Sequence, residues 1–406
     1  MLPLKITAVA TFLAIGFAYF YSPVPDAAAV EDQWIIRKLY AFNQASKLVA
    51  RIGVMLGFDS AINITRSFRS MNAKHIAKDT FDITTEDFEF DGVPVAVHRK
   101  TAWLKATNGK DAAGSLRPAI VYIHGGGWIY SFREIFAMME RYFVQQLDVV
   151  VVSVEYRLAP EHPHPQPFLD CVTAVKYLHR HAAEFGVDPA QISIAGDSAG
   201  GQLSAAVTIK LRDDGEPFLQ RQILISPATQ FATFRLDSFQ ENDRYGILSK
   251  RAVIQFWLLY MNESAQYANE FNANEHVSER VAHHKAWPYL QKYQTFPQDH
   301  VKVDEKVSKV LEAKILDPYL CPMMADSLSG LPPALILVSE FDTIRDDALA
   351  YADRLRAEGA DVTLQRTNGF HGIYLFAGQG AVSGGEMVES VVTYMREAYS
   401  ARSSTR

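Results

Sequence analysis

Five short and almost uninterrupted apolar runs recur along this chain: "AIVYI" at 119–123, "VVVVSVEY" at 149–156, "ISIAG" at 192–196, "QILIS" at 222–226 and "ALILVS" at 334–339. A strand with one wet face alternates apolar and polar residues. A strand that reads continuously as Val, Ile and Leu is buried on both faces, which calls for a parallel sheet with helices on either side. The segments between the runs, such as "FLDCVTAVKYLHRHAAEFG" at 168–186 and "RDDALAYADRLRAEG" at 345–359, have helical spacing and end in glycine. Upstream, "DFEF" and "VPVAVHRK" flank Asp91-Gly92, a pair suited to a type I′ hairpin. The rhythm breaks between about 231 and 320, where "AVIQFWLLYM" and "AWPYLQKYQTF" predict aromatic-rich helices with no strand between them. That insertion reads either as a lid over an apolar pocket or as the packing of a subdomain.

The chemistry enters where one of these runs stops. "ISIAGDSAGGQLSAAV" places G-x-S-x-G, Gly196-Asp197-Ser198-Ala199-Gly200, after a strand and before a helix, the context this motif needs. Gly196 and Gly200 let the turn be tight enough to leave the Ser198 hydroxyl at its apex. A serine hydroxyl is a poor nucleophile near neutral pH, so it needs a base within reach and a group to orient that base. Among Glu340, Asp342, Asp346 and Asp347, which follow the "ALILVS" run, Asp342 is the expected acid, because Asp346 and Asp347 fall in the first turn of the next helix. His371, in "NGFHGIYLF" after the last strand-like run, completes the order Ser, Asp, His.

The stretch "YIHGGGWIY" at 122–130 runs a strand into His124, three glycines and a tryptophan. Bare backbone there can bring N–H groups up to an anion. Ser198 attack on a carbonyl creates an oxyanion, and the expected oxyanion hole is Gly125, Gly126, Gly127 and Ala199, with the N–H groups of Ala199, Gly126 and Gly127 as donors and Gly125 shaping the approach. Phosphate-binding G-x-x-x-x-G-K-[ST] is absent, and "AGQGAVSGGEMV" at 377–388 has the wrong spacing for a dinucleotide loop. His283-His284 has no third ligand in its neighbourhood, and His162 and His164 sit in a Pro-rich loop. A formal charge of −6 without a basic run argues against nucleic acid. Two cysteines, Cys171 and Cys321, allow one bridge or two buried thiols.

The first residues carry Lys5, an uncharged and mainly apolar run from Ile6 to Tyr21, then Pro23, Pro25 and Asp26. Roughly 20 apolar residues span a bilayer. Positive charge before the run and acids after it keep the N-terminus cytoplasmic and translocate the body. A cleaved signal peptide, with "DAAAV" as its site, is the alternative. Sequons at Asn63 and Asn262 fit a translocated body. "WIIRKLYAFNQASKLVARIGVMLGF" at 34–58 reads as an amphipathic helix or pair. The expected division is an anchor at 1–25, an N-terminal helical cap region at 26–84, and a catalytic domain at 85–406 that holds the insertion.

In order along the chain, "HGGGW", "EYRLAPEHPHPQPFLD", "GDSAGG", "FDTIRDD" and "GFHG" resemble the hormone-sensitive lipase-like esterases, and within them the arylacetamide deacetylase group. The resemblance covers most of the chain after about residue 85, and "YFYSPVPDAAAVEDQW" is similar to the membrane-anchored deacetylases. It implies an α/β-hydrolase fold with a mostly parallel sheet of about eight strands and a helical cap. It also implies Ser198, Asp342 and His371 as a triad, Arg157 and Glu161 as structural residues, no metal or organic cofactor, and an enzyme facing the endoplasmic reticulum lumen. Ile129 and Tyr130 depart from the family, which has a cysteine just after "HGGGW". Any disulfide is thus of another kind or absent. The expected activity is hydrolysis of apolar esters or arylacetamides, with acylglycerol or sterol-ester hydrolysis as the rival, and an inactive hydrolase-fold receptor as the reading from a different class.

Overall fold

The computed structural model describes residues 16, 20, 24, 32–73, 81–106, 116–130, 133–243, 245, 248–297 and 302–403. The Ile6–Tyr21 run falls almost wholly outside these, and among the described residues no helix is long and apolar enough to cross a membrane. Eight strands form one sheet: β1 Ile83–Phe90, β2 Val93–Lys100, β3 Arg117–Ile123, β4 Val150–Val154, β5 Val187–Asp197, β6 Gln222–Ile225, β7 Ala334–Phe341 and β8 Val362–Phe370. Their order is β1-β2-β4-β3-β5-β6-β7-β8. β2 runs antiparallel to both β1 and β4, and every other pairing is parallel. This is the α/β-hydrolase fold.

Burial follows the apolar pattern strand by strand. All of β4 and residues 119–123 of β3 are buried, whereas the edge strand β1 alternates. The two faces of β3 feed two different cores, with Val121 and Ile123 in one and Ile120 and Tyr122 in the other. Asp91 and Gly92 join β1 to β2 with φ of 47° and 85°, the pair of positive values a type I′ turn needs.

The longer helices are α1 Gln33–Met55, α2 Ala61–Ala73, α3 Arg133–Leu147, α4 Gln166–Arg180, α5 Ala199–Asp213, α6 Lys250–Tyr260, α7 Glu305–Ile315, α8 Arg345–Ala357 and α9 Val382–Ser403. α4 and α5 cover one face of the sheet; α3 and α9 cover the other. Between β6 and β7 the described residues form helices and no strand. Asp32, at the start of α1, accepts hydrogen bonds from the backbone N–H groups of Val382 and Ser383, each at 3.1 Å. The N-terminus of α9 thus takes a carboxylate from the chain itself, which ties the α1 region to the body.

Candidate active site

β5 passes into α5 through one residue. Ser198 sits there at φ 52° and ψ −119°, a conformation that costs a non-glycine residue energy and persists only if its surroundings enforce it. The Ser198 N–H donates to the Ile225 carbonyl at 2.8 Å, and its own carbonyl accepts from the N–H groups of Gln202 and Ala228, both at 3.1 Å. The flanking glycines are steric requirements. A Cβ on Gly200 would lie 2.0 Å from the Ile123 oxygen of β3, and one on Gly196 would lie 2.3 Å from the Gly200 oxygen. Strand and helix close on the turn from both sides, and the hydroxyl points into a cavity.

Three residues distant in sequence meet at that hydroxyl. His371 Nε2 is 3.0 Å from Ser198 Oγ, and His371 Nδ1 is 2.8 Å from Asp342 Oδ2. Asp342 is fully buried, and its other oxygen accepts the Ile344 N–H at 3.0 Å. Burial pulls the His371 pKa down, but the Asp342 charge and hydrogen bond outweigh it and leave the imidazole raised above its ordinary 6.5. This arrangement can take a proton from Ser198 while holding the ring in one tautomer. The neighbouring acids are engaged elsewhere: Glu340 and Asp346 pair with Arg345, and Asp347 binds the Gln230 amide at 2.6 Å. Burial raises the Asp347 carboxyl well above its ordinary value.

The loop after β3 divides its glycines between two tasks. The Gly125 N–H donates to Asp197 Oδ1 at 2.9 Å, so this glycine of the oxyanion loop is already paired with a carboxylate and serves to shape the loop. Its carbonyl accepts from His124 Nδ1 at 2.7 Å. That carbonyl shares a planar trans peptide with the Gly126 N–H, so fixing the oxygen aims the N–H the opposite way. Among the described residues no protein acceptor takes the N–H of Gly126, Gly127 or Ala199, and all three residues line the cavity beside Ser198. Gly126 sits at φ 113°, and a Cβ there would be 2.2 Å from the Tyr130 oxygen.

Asp197 is the residue whose part sequence reasoning missed. Beyond the Gly125 N–H, it accepts hydroxyl hydrogen bonds from Tyr122 at 2.8 Å and Tyr374 at 2.6 Å. Burial pushes its carboxyl up to about 6 in spite of these donors. No spacing rule could have found Tyr122, an unremarkable member of a buried strand, or Tyr374, three residues past His371. Trp128 was visible only as part of the motif. Its indole N–H donates to Gln202 of α5 at 3.0 Å, and its rings pack against Trp257 and Tyr260 of α6.

Above these groups lies a cavity of about 500 Å³. Its walls include Leu39 and Phe42 of α1, Leu248 just before α6, Val253 and Phe256 on α6, and Leu375 and Phe376 after His371. Among the described residues the insertion supplies Leu248, Val253, Phe256 and Trp257 to this roof. Phe234, Phe271 and His276 pack together elsewhere, as a subdomain does. Arg66 of α2 ties roof to floor: it donates to the Ile129 carbonyl at 2.8 Å and the Ala159 carbonyl at 2.7 Å, and forms an ion pair with Glu161. Arg157 is held by Asp170.

The remaining sequence candidates separate clearly. Asn262 is exposed in a turn after α6, whereas Asn63 lies within α2, its amide bonded to Asp59 and its carbonyl oxygen to Arg66. Cys171 and Cys321 are buried free thiols. His283 is exposed and hydrogen-bonded to the Glu279 carbonyl, and among the described residues no cluster of His, Cys, Asp and Glu could hold a metal.

Comparison with known proteins gives the same architecture. The model of an alpha/beta hydrolase fold family matches residues 120–283 and 273–375. The chain is similar to arylacetamide deacetylase of Bos taurus, 33% identical over 384 residues that cover 90% of this chain and 93% of that protein. It is also similar to neutral cholesterol ester hydrolase 1 of Bos taurus, 30% identical over 392 residues covering 90% and 91% of the two chains. Among solved structures, an esterase of Pyrobaculum calidifontis superposes with a TM-score of 0.62 at 27% identity, over 83% of this chain and 93% of its own.

Proposed function

The chain belongs to the α/β-hydrolase fold family, in the hormone-sensitive lipase-like group with arylacetamide deacetylase, and on that premise we propose a serine carboxylesterase that deacylates apolar esters or arylacetamides. The observation that carries this is the Ser198–His371–Asp342 relay beneath an apolar cavity, with the N–H groups of Gly126, Gly127 and Ala199 unclaimed beside it. His371 removes the Ser198 proton as Oγ attacks the carbonyl carbon. The carbonyl oxygen takes up negative charge and the three N–H groups receive it. His371 then returns the proton to the leaving alcohol or amine, forming the acyl-enzyme. Water, deprotonated by the same imidazole, attacks that ester; the imidazolium then returns the proton to Ser198 Oγ as the acid leaves, and Asp342 stabilises the imidazolium in both steps.

The apolar walls support an uncharged substrate, and the size of the cavity fits a small molecule. The likeness to neutral cholesterol ester hydrolase 1 favours a second reading, in which the acyl donor is a lipid ester. The Ile6–Tyr21 run supports a single-pass anchor with the body in the endoplasmic reticulum lumen, and the exposure of Asn262 favours it over Asn63 as the glycan acceptor. Fluorophosphonate labelling of the wild type and Ser198→Ala tests the core of the proposal. Labelling is expected to vanish in the variant, with hydrolysis falling by on the order of 10⁶; a variant that still labels would refute the assignment. Hydrolysis rates for acetyl esters, arylacetamides and long-chain lipid esters then rank the substrate classes.

A further inference from the structure

Exposed apolar surface is concentrated in one part of this molecule. Of fourteen large hydrophobic side chains exposed among the described residues, eight lie between Trp34 and Met71, on α1, α2 and the turn that joins them. Met55, Leu56 and Phe58 at the turn are 78%, 58% and 76% exposed, and Leu48, Ile52 and Val54 continue the patch along α1. Single exposed apolar residues are ordinary, but a contiguous patch marks an interaction surface.

Charge on the hairpin is equally one-sided. Residues 33–73 carry Arg37, Lys38, Lys47, Arg51, Arg66 and Arg69 against Asp59 alone, a formal +5 from six cations and one anion. The whole chain is −6, which leaves −11 for the remainder. Lys47 and Arg51 are exposed one helical turn apart, beside Leu48 and Ile52. The Asp59 carboxylate accepts from the Ser60 N–H at 2.6 Å and the Asn63 amide at 3.1 Å. A helix with large apolar residues flanked by Lys and Arg, on a body of opposite net charge, matches the chemistry of an anionic lipid surface.

We propose that the α1–α2 hairpin docks on anionic membrane, with Met55, Leu56 and Phe58 below the headgroups and Lys47 and Arg51 against lipid phosphates. The same hairpin faces the cavity through Leu39, Phe42 and Arg69. An ester dissolved in the bilayer therefore meets the enzyme at an element that also lines its chamber. Only this consequence rests on the esterase reading; the docking itself does not.

Because Cys171 and Cys321 are buried, an exposed cysteine introduced by Met55→Cys can be labelled selectively with an environment-sensitive fluorophore. Val310→Cys, on α7 and 43% exposed in the native residue, is the control. The full chain is placed with phosphatidylcholine vesicles containing phosphatidylserine and a doxyl-labelled lipid. The label at 55 is expected to be quenched at least about twofold more than that at 310, and less so after Lys47→Glu with Arg51→Glu or at high salt. Equal quenching at the two positions overturns the proposal. So does lipid-free protection of position 55 that grows with protein concentration, because a second copy of the chain would then be the occupant. Phe58→Asp should keep turnover of a water-soluble ester and lose severalfold on a vesicle-borne one. Quenching without any hydrolysis would refute the esterase and leave the docking surface intact.

Discussion

On the floor of the cavity Asp197 accepts three hydrogen bonds and Asp342 two, four of the five from residues at least 29 positions away. On the roof, Leu39, Phe42, Leu248 and Phe256 present hydrocarbon to the cavity. The floor is over-determined because a buried polar group left unpaired costs more than a pair gains. It can therefore hold a strained serine and two glycine N–H groups in place without substrate. The roof, on helices outside the sheet, can change residue by residue without disturbing the chemistry. On the proposed mechanism, catalytic power and substrate choice would reside in separable parts of the molecule.

The largest expected effect lies on the floor. Asp342→Asn should cut kcat/KM by about 10⁴ with little change in KM, as loss of the orienting carboxylate does elsewhere. On the proposed mechanism the wild-type enzyme needs neutral His371, whose pKa Asp342 holds above 6.5, so activity should fall as pH drops through a midpoint above that value. The variant's midpoint should move down, and a pH profile of kcat/KM for both proteins checks it. An unchanged midpoint would break the pairing of these two residues.

Asp197→Asn should come next. The asparagine oxygen can receive at most two of the three donors, and one tyrosine hydroxyl must reverse to accept from its amide. We expect a loss of about tenfold to a hundredfold in kcat at constant KM, less than the ~10²–10³ of deleting an oxyanion donor outright. Stability supplies a second readout. The folded carboxyl is raised to about 6 from 3.8, so its contribution is present below about 4 and is lost as pH rises through 6. The variant should lack that slope in thermal melts taken from pH 4 to 7.

Arg66→Met tests the tie between the two layers. It strips a donor from the Ile129 and Ala159 carbonyls, and the expected cost is about 1–3 kcal/mol in denaturant unfolding. A fall in kcat that exceeds the loss of stability would mean the roof holds the glycine loop in register. Smallest of all, Leu39→Ala should raise KM for bulky esters by at most about tenfold and leave kcat for a small acetyl ester unchanged. If kcat falls for both substrates, floor and roof are not separable.

Proline at Gly126 would delete the N–H, but its ring fixes φ near −65°, whereas Gly126 sits at 113°. The loop would rearrange, and lost turnover would not isolate the donor.

The sheet was legible because strands buried on both faces must be apolar throughout, and local composition records that directly. The serine turn was legible for a similar reason: two glycines at fixed offsets are a local steric demand. Ser198, Asp342 and His371 could be named in advance because each ends or follows a strand, and strand ends in a parallel sheet converge at one edge. That the Gly125 N–H is paired while those of Gly126 and Gly127 are not could not be read locally, because the Asp197 carboxylate that takes it lies 72 residues away. Tyr122, Tyr374 and Arg66 carry no local mark, since each owes its role to a partner between 63 and 177 residues away. Sequence alone determined the elements and the candidate reacting groups, which depend on near neighbours along the chain. Tertiary structure alone decided which backbone N–H groups remain free and which helices roof the cavity, because hydrogen-bond partners and cavity walls are properties of space and not of order along the chain.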